Sequence, residues 1–254
     1  MTPQPQDRVA DLAARYPATI RVFQHHGIDF CCGGKRPLEQ AARESDVDWS
    51  ALAEELEAAT ADRAGEPSEP DRPWAEAPLG ELIDHIVDHY HGKLREELPR
   101  LLQMAEKVVS VHGPKHPRTE EALATLRRLA ADLEMHTAKE EQVLFPLVGR
   151  LVETEAEGRL PEELRGGTIA MPILVMETEH DAAADALRRL RSLTDGFTPP
   201  EDACNTFRGL YHGLAELEAD THRHIHLENN ILFPRAADLE KTLRGAPEPA
   251  SAHS

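Results

Sequence analysis

Cysteine, aromatics and cationic residues are all scarce in this chain. There are three cysteines in 254 residues, two of them adjacent, too few for a disulfide framework. Aromatics make up 4% of the residues, β-branched runs are rare, and alanine, leucine, glutamate and arginine dominate. That composition favours helices over sheet. Lysine and arginine number 28 against 46 aspartates and glutamates, a net charge of −18. So acidic a chain excludes nucleic acid and an anionic membrane surface as partners. No run of about 18 apolar residues and no charged-then-apolar leader occurs. The chain reads as a soluble, cytoplasmic, all-α protein.

A motif is present twice. His136 to Pro146 reads His-Thr-Ala-Lys-Glu-Glu-Gln-Val-Leu-Phe-Pro, and His224 to Pro234 reads His-Ile-His-Leu-Glu-Asn-Asn-Ile-Leu-Phe-Pro. The offset of 88 residues holds at Glu140/Glu228 and at Phe145-Pro146/Phe233-Pro234. A repeat of this length implies two matched helical hairpins. Residues four apart share a helix face. In both copies the His and the Glu lie on stripes that are otherwise mostly apolar: Leu126, Leu129, Leu133, His136, Glu140, Leu144, Leu147, and Leu210, Leu214, Leu217, Thr221, His224, Glu228, Leu232. A carboxylate facing a core is costly unless compensated, and a cation is the simplest compensation.

Each copy then needs an upstream partner helix. His91 lies on the stripe Ile83, Val87, His91, Leu94, Leu98, and His180 on Ile173, Met176, His180, Ala184, Leu187, 89 residues apart. The set becomes His91, His136, Glu140, His180, His224 and Glu228 on four helices, with two carboxylates able to bridge two metals. Imidazole and carboxylate without thiolate suit iron or manganese, with zinc left open. A ferritin-like Glu-x-x-His pattern fits once, at Glu177 to His180, and would add Glu177 as a ligand. His85 reads as solvated, His89 as flanking, and His222/His226 as a false twin whose repeat mates are Glu134 and Ala138. Cys204 reads as packing, and His112 as a helix-end residue.

Four domains of behaviour follow along the chain. Residues 1–60 form a small helical unit containing Gly27-Ile28-Asp29-Phe30-Cys31-Cys32-Gly33-Gly34. About 60 residues fold alone only marginally, so this unit leans on a partner chain, as a homodimer, or on the larger domain. Residues 61–78, with four prolines, form a linker. Residues 79–241 form an up-down-up-down four-helix bundle with helices over about 79–112, 119–152, 169–194 and 201–241. A kink or break is expected at Pro99 and bends at Pro146 and Pro234. Residues 242–254 form a disordered tail.

The Cys-Cys-Gly-Gly segment ahead of this bundle, with Tyr90-His91, His136-x-x-x-Glu140-Glu141-Gln142, Met176-Glu177-x-Glu179-His180-Asp181 and Leu227-Glu228-Asn229-Asn230, resembles the iron–sulfur cluster repair di-iron proteins over residues 7–238. The resemblance implies a hemerythrin-like bundle. It implies two non-haem iron ions with an oxo or hydroxo bridge, bound by the same six residues, with Glu140 and Glu228 bridging. It also implies repair of clusters damaged by oxidative or nitrosative stress, by iron donation or nitric oxide handling, with damaged iron–sulfur proteins as clients and nitric oxide or oxygen as small ligands. Cys31 and Cys32 are then candidate catalytic or iron-transferring sulfurs, and Glu179 and Asp181 supporting groups beside His180. The alternatives are a hemerythrin-like sensor of oxygen, nitric oxide or iron, and a nitric oxide reductase.

Overall fold

The computed structural model describes residues 2–61 and 72–245. Residues 62–71 of the expected linker and 246–254 of the expected tail lie outside these. Among the described residues there is no strand, and no helix is long and apolar enough to cross a membrane.

The first four helices are short: α1 (Val9–Arg15), α2 (Thr19–His25), α3 (Leu38–Glu44) and α4 (Trp49–Ala61). Gly27 follows α2 with φ +64°, the left-handed conformation that ends a helix cheaply only at glycine. Val9, Leu12, Phe23, Phe30, Leu38, Leu52 and Leu56 form the core of this unit, and Ile225 of the bundle completes it. The unit therefore leans on the larger domain. Gly34 has a packing reason. Its carbonyl accepts from the Ala10 amide at 2.8 Å, and a Cβ there would lie 2.6 Å from the Phe30 carbonyl and 2.7 Å from the Ala10 Cβ. Gly34→Ala is expected to cost about 1–3 kcal/mol through overpacking, read as faster hydrogen exchange in α1–α3 with the bundle unaffected.

The bundle has four long helices, three of them interrupted by one π-helical turn. The first is α5 (Leu79–His85), a π turn (Ile86–His91) and α6 (Gly92–His112). The second is α7 (Arg118–Lys139), a π turn (Glu140–Leu144) and α8 (Phe145–Glu155). The third, α9 (Ala170–Leu193), is uninterrupted. The fourth is α10 (Asn205–Leu227), a π turn (Glu228–Leu232) and α11 (Phe233–Gly245). Each helix packs on its two neighbours in a closed ring. Pro99 sits inside α6 without ending it. Pro146 and Pro234 each follow a π turn by two residues, so the missing amide falls where the α-helical ladder is already interrupted. The fourth helix starts at Asn205 rather than Glu201, and it runs to Gly245, with Leu243 buried, rather than stopping at Lys241.

The π turns also correct the expected apolar stripe of the first helix. Leu79 and Leu82 are buried before the turn, Ile86, Tyr90 and His91 within it, and Leu94 and Leu98 after it, whereas Ile83 and Val87 are only partly so. The wider turn inserts one residue, so the buried face slips by one position at Tyr90/His91. Likewise, past Leu144 the second helix buries Val148 and Leu151, with Leu147 at the edge.

Two apolar clusters fill the bundle. One, including Leu82, Ile86, Phe145, Ile173 and Phe233, occupies the end where α5, α8 and α11 lie. The other, including Leu101, Leu129, Leu187 and Leu214, occupies the opposite end. The band between them is polar.

Candidate metal centre

That band holds His91, His136, Glu140, His180, His224 and Glu228, all at most 3% exposed. They form two groups, His91/His224 and His136/His180, and both groups share Glu140 and Glu228. The imidazole Nε2 atoms approach in pairs, His91 to His224 at 3.1 Å and His136 to His180 at 3.0 Å. Each carboxylate sends one oxygen to each pair. Glu140 Oε2 is 3.3 Å from His91 Nε2, and its Oε1 is 3.2 Å from His136 Nε2. Glu228 Oε1 is 3.0 Å from His224 Nε2, and its Oε2 is 3.1 Å from His180 Nε2. Both Glu140 oxygens and Glu228 Oε2 are buried without any hydrogen-bond donor. Orphaned carboxylate oxygens in a core call for a cation, so the residues fit a di-metal site.

Electrostatics agree. Burial alone would push the His91 and His136 imidazoles down. The close negative charges of Glu140 and Glu228 outweigh it, raising His91 and holding His136 at about 9. Burial likewise works against a charged Glu228, but His224 and His180 hold its carboxyl well below the usual range. A metal bound here would compete with protons for the same imidazole nitrogens.

The rings are aimed from behind. His91 Nδ1 donates to Glu141 Oε1 at 2.7 Å, His136 Nδ1 to Glu179 Oε2 at 3.0 Å, and His180 Nδ1 to Asn229 Oδ1 at 2.8 Å. Fixing the proton on Nδ1 leaves the Nε2 lone pair facing the centre. Glu141 is itself paired with Arg95, and Glu179 with Lys139. Neither Glu141 nor Asn229 was singled out in the sequence as orienting a ligand ring; they stand 88 residues apart, and that match in the repeat is the signal that could have marked them. Phe145 stacks on His91 at 5.8 Å between centroids, and Phe233 on His180 at 6.0 Å, so the repeated Phe-Pro covers one ligand ring in each half.

A cavity of about 250 Å³ reaches the centre from the side, lined in part by His136, His180, His224, Lys139 and Glu179.

Cys31 and Cys32 lie at the seam between the two units. Asp29 Oδ1 accepts from the amides of both, at 3.1 and 3.0 Å, and from the Cys31 thiol at 3.4 Å. Burial opposes the Asp29 carboxylate, but the amides of Gly33, Cys31 and Cys32 keep it below its ordinary range. Cys31 is buried, 4% exposed, and its thiol donates to the Cys32 sulfur at 3.8 Å. That hydrogen bond, burial and the Asp29 charge push the Cys31 thiol well up, so it stays protonated. Cys32 is the more accessible sulfur and lies 4.0 Å from the His180 carbonyl.

The remaining candidates separate cleanly. Glu177 belongs to neither ligand group and faces Lys35 at 3.9 Å, and Asp181 is exposed. His226 is buried against Phe30 of the small unit. Burial pushes its imidazole down to about 4, and its Nδ1 accepts from Asn230 Nδ2 at 2.9 Å. Asn230 also donates to the Phe30 carbonyl at 3.1 Å. His85 is not simply solvated: it stacks on Trp74 at 4.2 Å and on His89 at 5.3 Å. Cys204 does not pack. It is exposed at the start of α10, with His112 Nε2 3.3 Å from its sulfur.

Comparison with known proteins matches residues 82–236 to the Hemerythrin HHE cation binding domain. Residues 5–60 match a Domain of Unknown function (DUF542). Over 225 residues the chain is 43% identical to the iron–sulfur cluster repair protein YtfE of Yersinia pseudotuberculosis serotype IB (strain PB1/+) and to that of Yersinia pestis (strain Pestoides F). Each alignment covers 89% of this chain and 94% of the relative.

Proposed function

The chain belongs to the family of hemerythrin-type iron–sulfur cluster repair proteins, and on that premise we propose that it restores damaged iron–sulfur clusters through a non-haem di-iron centre. The observation that carries this reading is the sharing of both buried carboxylates between two histidine pairs. His91 and His224 would hold one iron and His136 and His180 the other, with Glu140 and Glu228 shared between the two. When bound, the iron pair supplies exchangeable iron and open positions for a diatomic ligand.

The chain's own residues do the rest. Glu141, Glu179 and Asn229 keep the Nδ1 protons in place and so hold the ligand rings in register. The cavity beside His136 and His180 admits a molecule of the size of nitric oxide or oxygen, and the Lys139–Glu179 pair borders it. Cys32 is the sulfur placed to take or guide iron, since it is the more exposed of the pair and sits against the backbone of the helix that carries His180. Cys31 keeps its proton and hydrogen-bonds to Cys32. The clients are damaged iron–sulfur proteins.

The test is metal analysis and Mössbauer spectroscopy of protein grown with iron-57, followed by reactivation of an oxidatively damaged [4Fe–4S] dehydratase. Two irons per chain and reactivation by the loaded protein are expected. Cys31→Ser with Cys32→Ser is expected to keep the iron and lose most of the reactivation. A single zinc per chain would overturn the di-iron assignment. Full reactivation by the double serine variant would remove the cysteines from the reaction.

A further inference from the structure

Three of the four ligand imidazoles carry a stacked carbocyclic ring. Two of those rings are phenylalanines, Phe145 on His91 and Phe233 on His180. The third is Tyr90, nearly parallel to His224 at 5.6 Å between centroids and 9° between planes. Tyr90 breaks the internal repeat, because the residue 89 positions later is Glu179. On that side a carboxylate bonds a ligand; on this side a phenol stacks on one.

The aromatic contact does not stop at Tyr90. His85 meets its ring edge-on at 5.5 Å, and His85 is stacked on Trp74 at 4.2 Å. His89 lies parallel to His85 at 5.3 Å and edge-on to Tyr90 at 4.8 Å, and it is exposed. A continuous series of rings thus leads from an exposed imidazole and an indole to a metal-ligand ring. The sequence has only two tryptophans and three tyrosines, and one of each is placed in this series. Ring-to-ring contacts of this kind give good packing anywhere. Packing alone does not account for a line of them running from the surface to a ligand when the two phenylalanine stacks end on the ligands in the apolar core.

We propose that His89, His85 and Tyr90, with Trp74 stacked on His85 to hold it in line, form the route by which single electrons pass between an outer-sphere one-electron carrier at the His89 face and the metal centre. The inference rests on the di-iron reading above. In each transfer the carrier loses one electron and the centre gains one, or the reverse. No bond forms or breaks, and the rings act as a conjugated bridge through which the electron tunnels, without holding it. The contact between π-systems runs unbroken from the exposed His89 to His224, whereas the two phenylalanine stacks end in the apolar core.

Two measurements test it. In the metal-free protein, with Trp49→Phe to leave Trp74 as the lone indole, the Trp74 fluorescence lifetime is expected to be short and to lengthen several-fold in His85→Leu. An unchanged lifetime would show that the stack is absent in solution and would overturn the proposal. In the iron-loaded protein, stopped-flow reduction by reduced methyl viologen is followed at the iron absorbance. Tyr90→Leu is expected to slow it at least tenfold, because every ring path from His89 to His224 passes through Tyr90, with Tyr90→Phe near wild type because it keeps the ring. Phe207→Leu, which removes a buried ring from the apolar cluster at the opposite end of the bundle, is expected to leave the rate unchanged. Equal rates in all variants, or an equal fall in Phe207→Leu, would overturn the route. Iron content is measured on every sample. Wild-type protein without two irons would refute the di-iron reading itself, whereas loaded protein whose rate ignores Tyr90 refutes only the route.

Discussion

Glu140→Gln is expected to remove both metals at once, whereas His180→Ala is expected to remove about one of the two. The difference follows from the geometry. Glu140 places Oε2 beside His91 and Oε1 beside His136, so a single amide substitution takes a charged donor from both positions. His180 serves only the group that it shares with His136. An amide oxygen is a poor substitute for a bridging carboxylate, and its nitrogen would point at one cation. An affinity loss of at least about 100-fold at each position is expected, beyond the roughly 10–100-fold typical of residues one step further out. Elemental analysis after desalting checks the metal content. Thermal melting checks the physical cause. Metal binding to the folded chain alone stabilises it by mass action, so a chelator should lower the melting midpoint of the wild type and leave that of Glu140→Gln unmoved. Loss of a single metal from Glu140→Gln would show that the carboxylate does not bridge.

Phe30→Ala should have the largest effect on stability, and it should act on one unit only. Phe30 is 2% exposed, stacks on Phe23 at 6.5 Å between centroids and meets His226 of α10 at 5.6 Å. Its carbonyl accepts from Asn230. Truncating a fully buried phenylalanine costs about 3–5 kcal/mol. A unit of about 60 residues has little more than that to lose. The expected outcome is a chain whose residues 9–61 exchange their amide hydrogens quickly and are cut by protease, while the bundle keeps its metal. None of the six ligand residues comes from the small unit, and the two apolar clusters that enclose the centre are drawn almost wholly from the bundle helices. Joint loss of metal and protection would show instead that the small unit holds the centre closed.

The candidate ligand residues were legible because they repeat. Two His-x-x-x-Glu pairs 88 residues apart, each on a largely apolar stripe, point inward on spacing alone. The same offset joins Glu141 to Asn229, and both orient a ligand ring. That signal was present in the sequence but silent, since a polar residue beside a core position ordinarily faces water. The first helix was misread by one position, because a constant period of 3.6 residues was carried through His91. Its π turn adds a residue there and shifts the buried face from Ile83 and Val87 to Leu82 and Ile86. Cys204 was misplaced for a related reason: α10 begins at Asn205, which leaves the cysteine at an exposed helix end.

Local chemistry by itself determined the helices, the repeat, the inward-facing imidazoles and carboxylates, and the glycine-bounded cysteine turn. These follow from spacing along one chain and from the cost of burying charge. Only the tertiary structure decided which oxygen of each carboxylate faces which histidine pair, that Cys31 is buried while Cys32 remains accessible, and that Tyr90 stacks on His224 and not on its neighbour His91. Those are relations between different helices at distances of 3–6 Å. Such distances are set by how the helices pack and by where each π turn inserts its extra residue, and neither quantity has a period in the sequence.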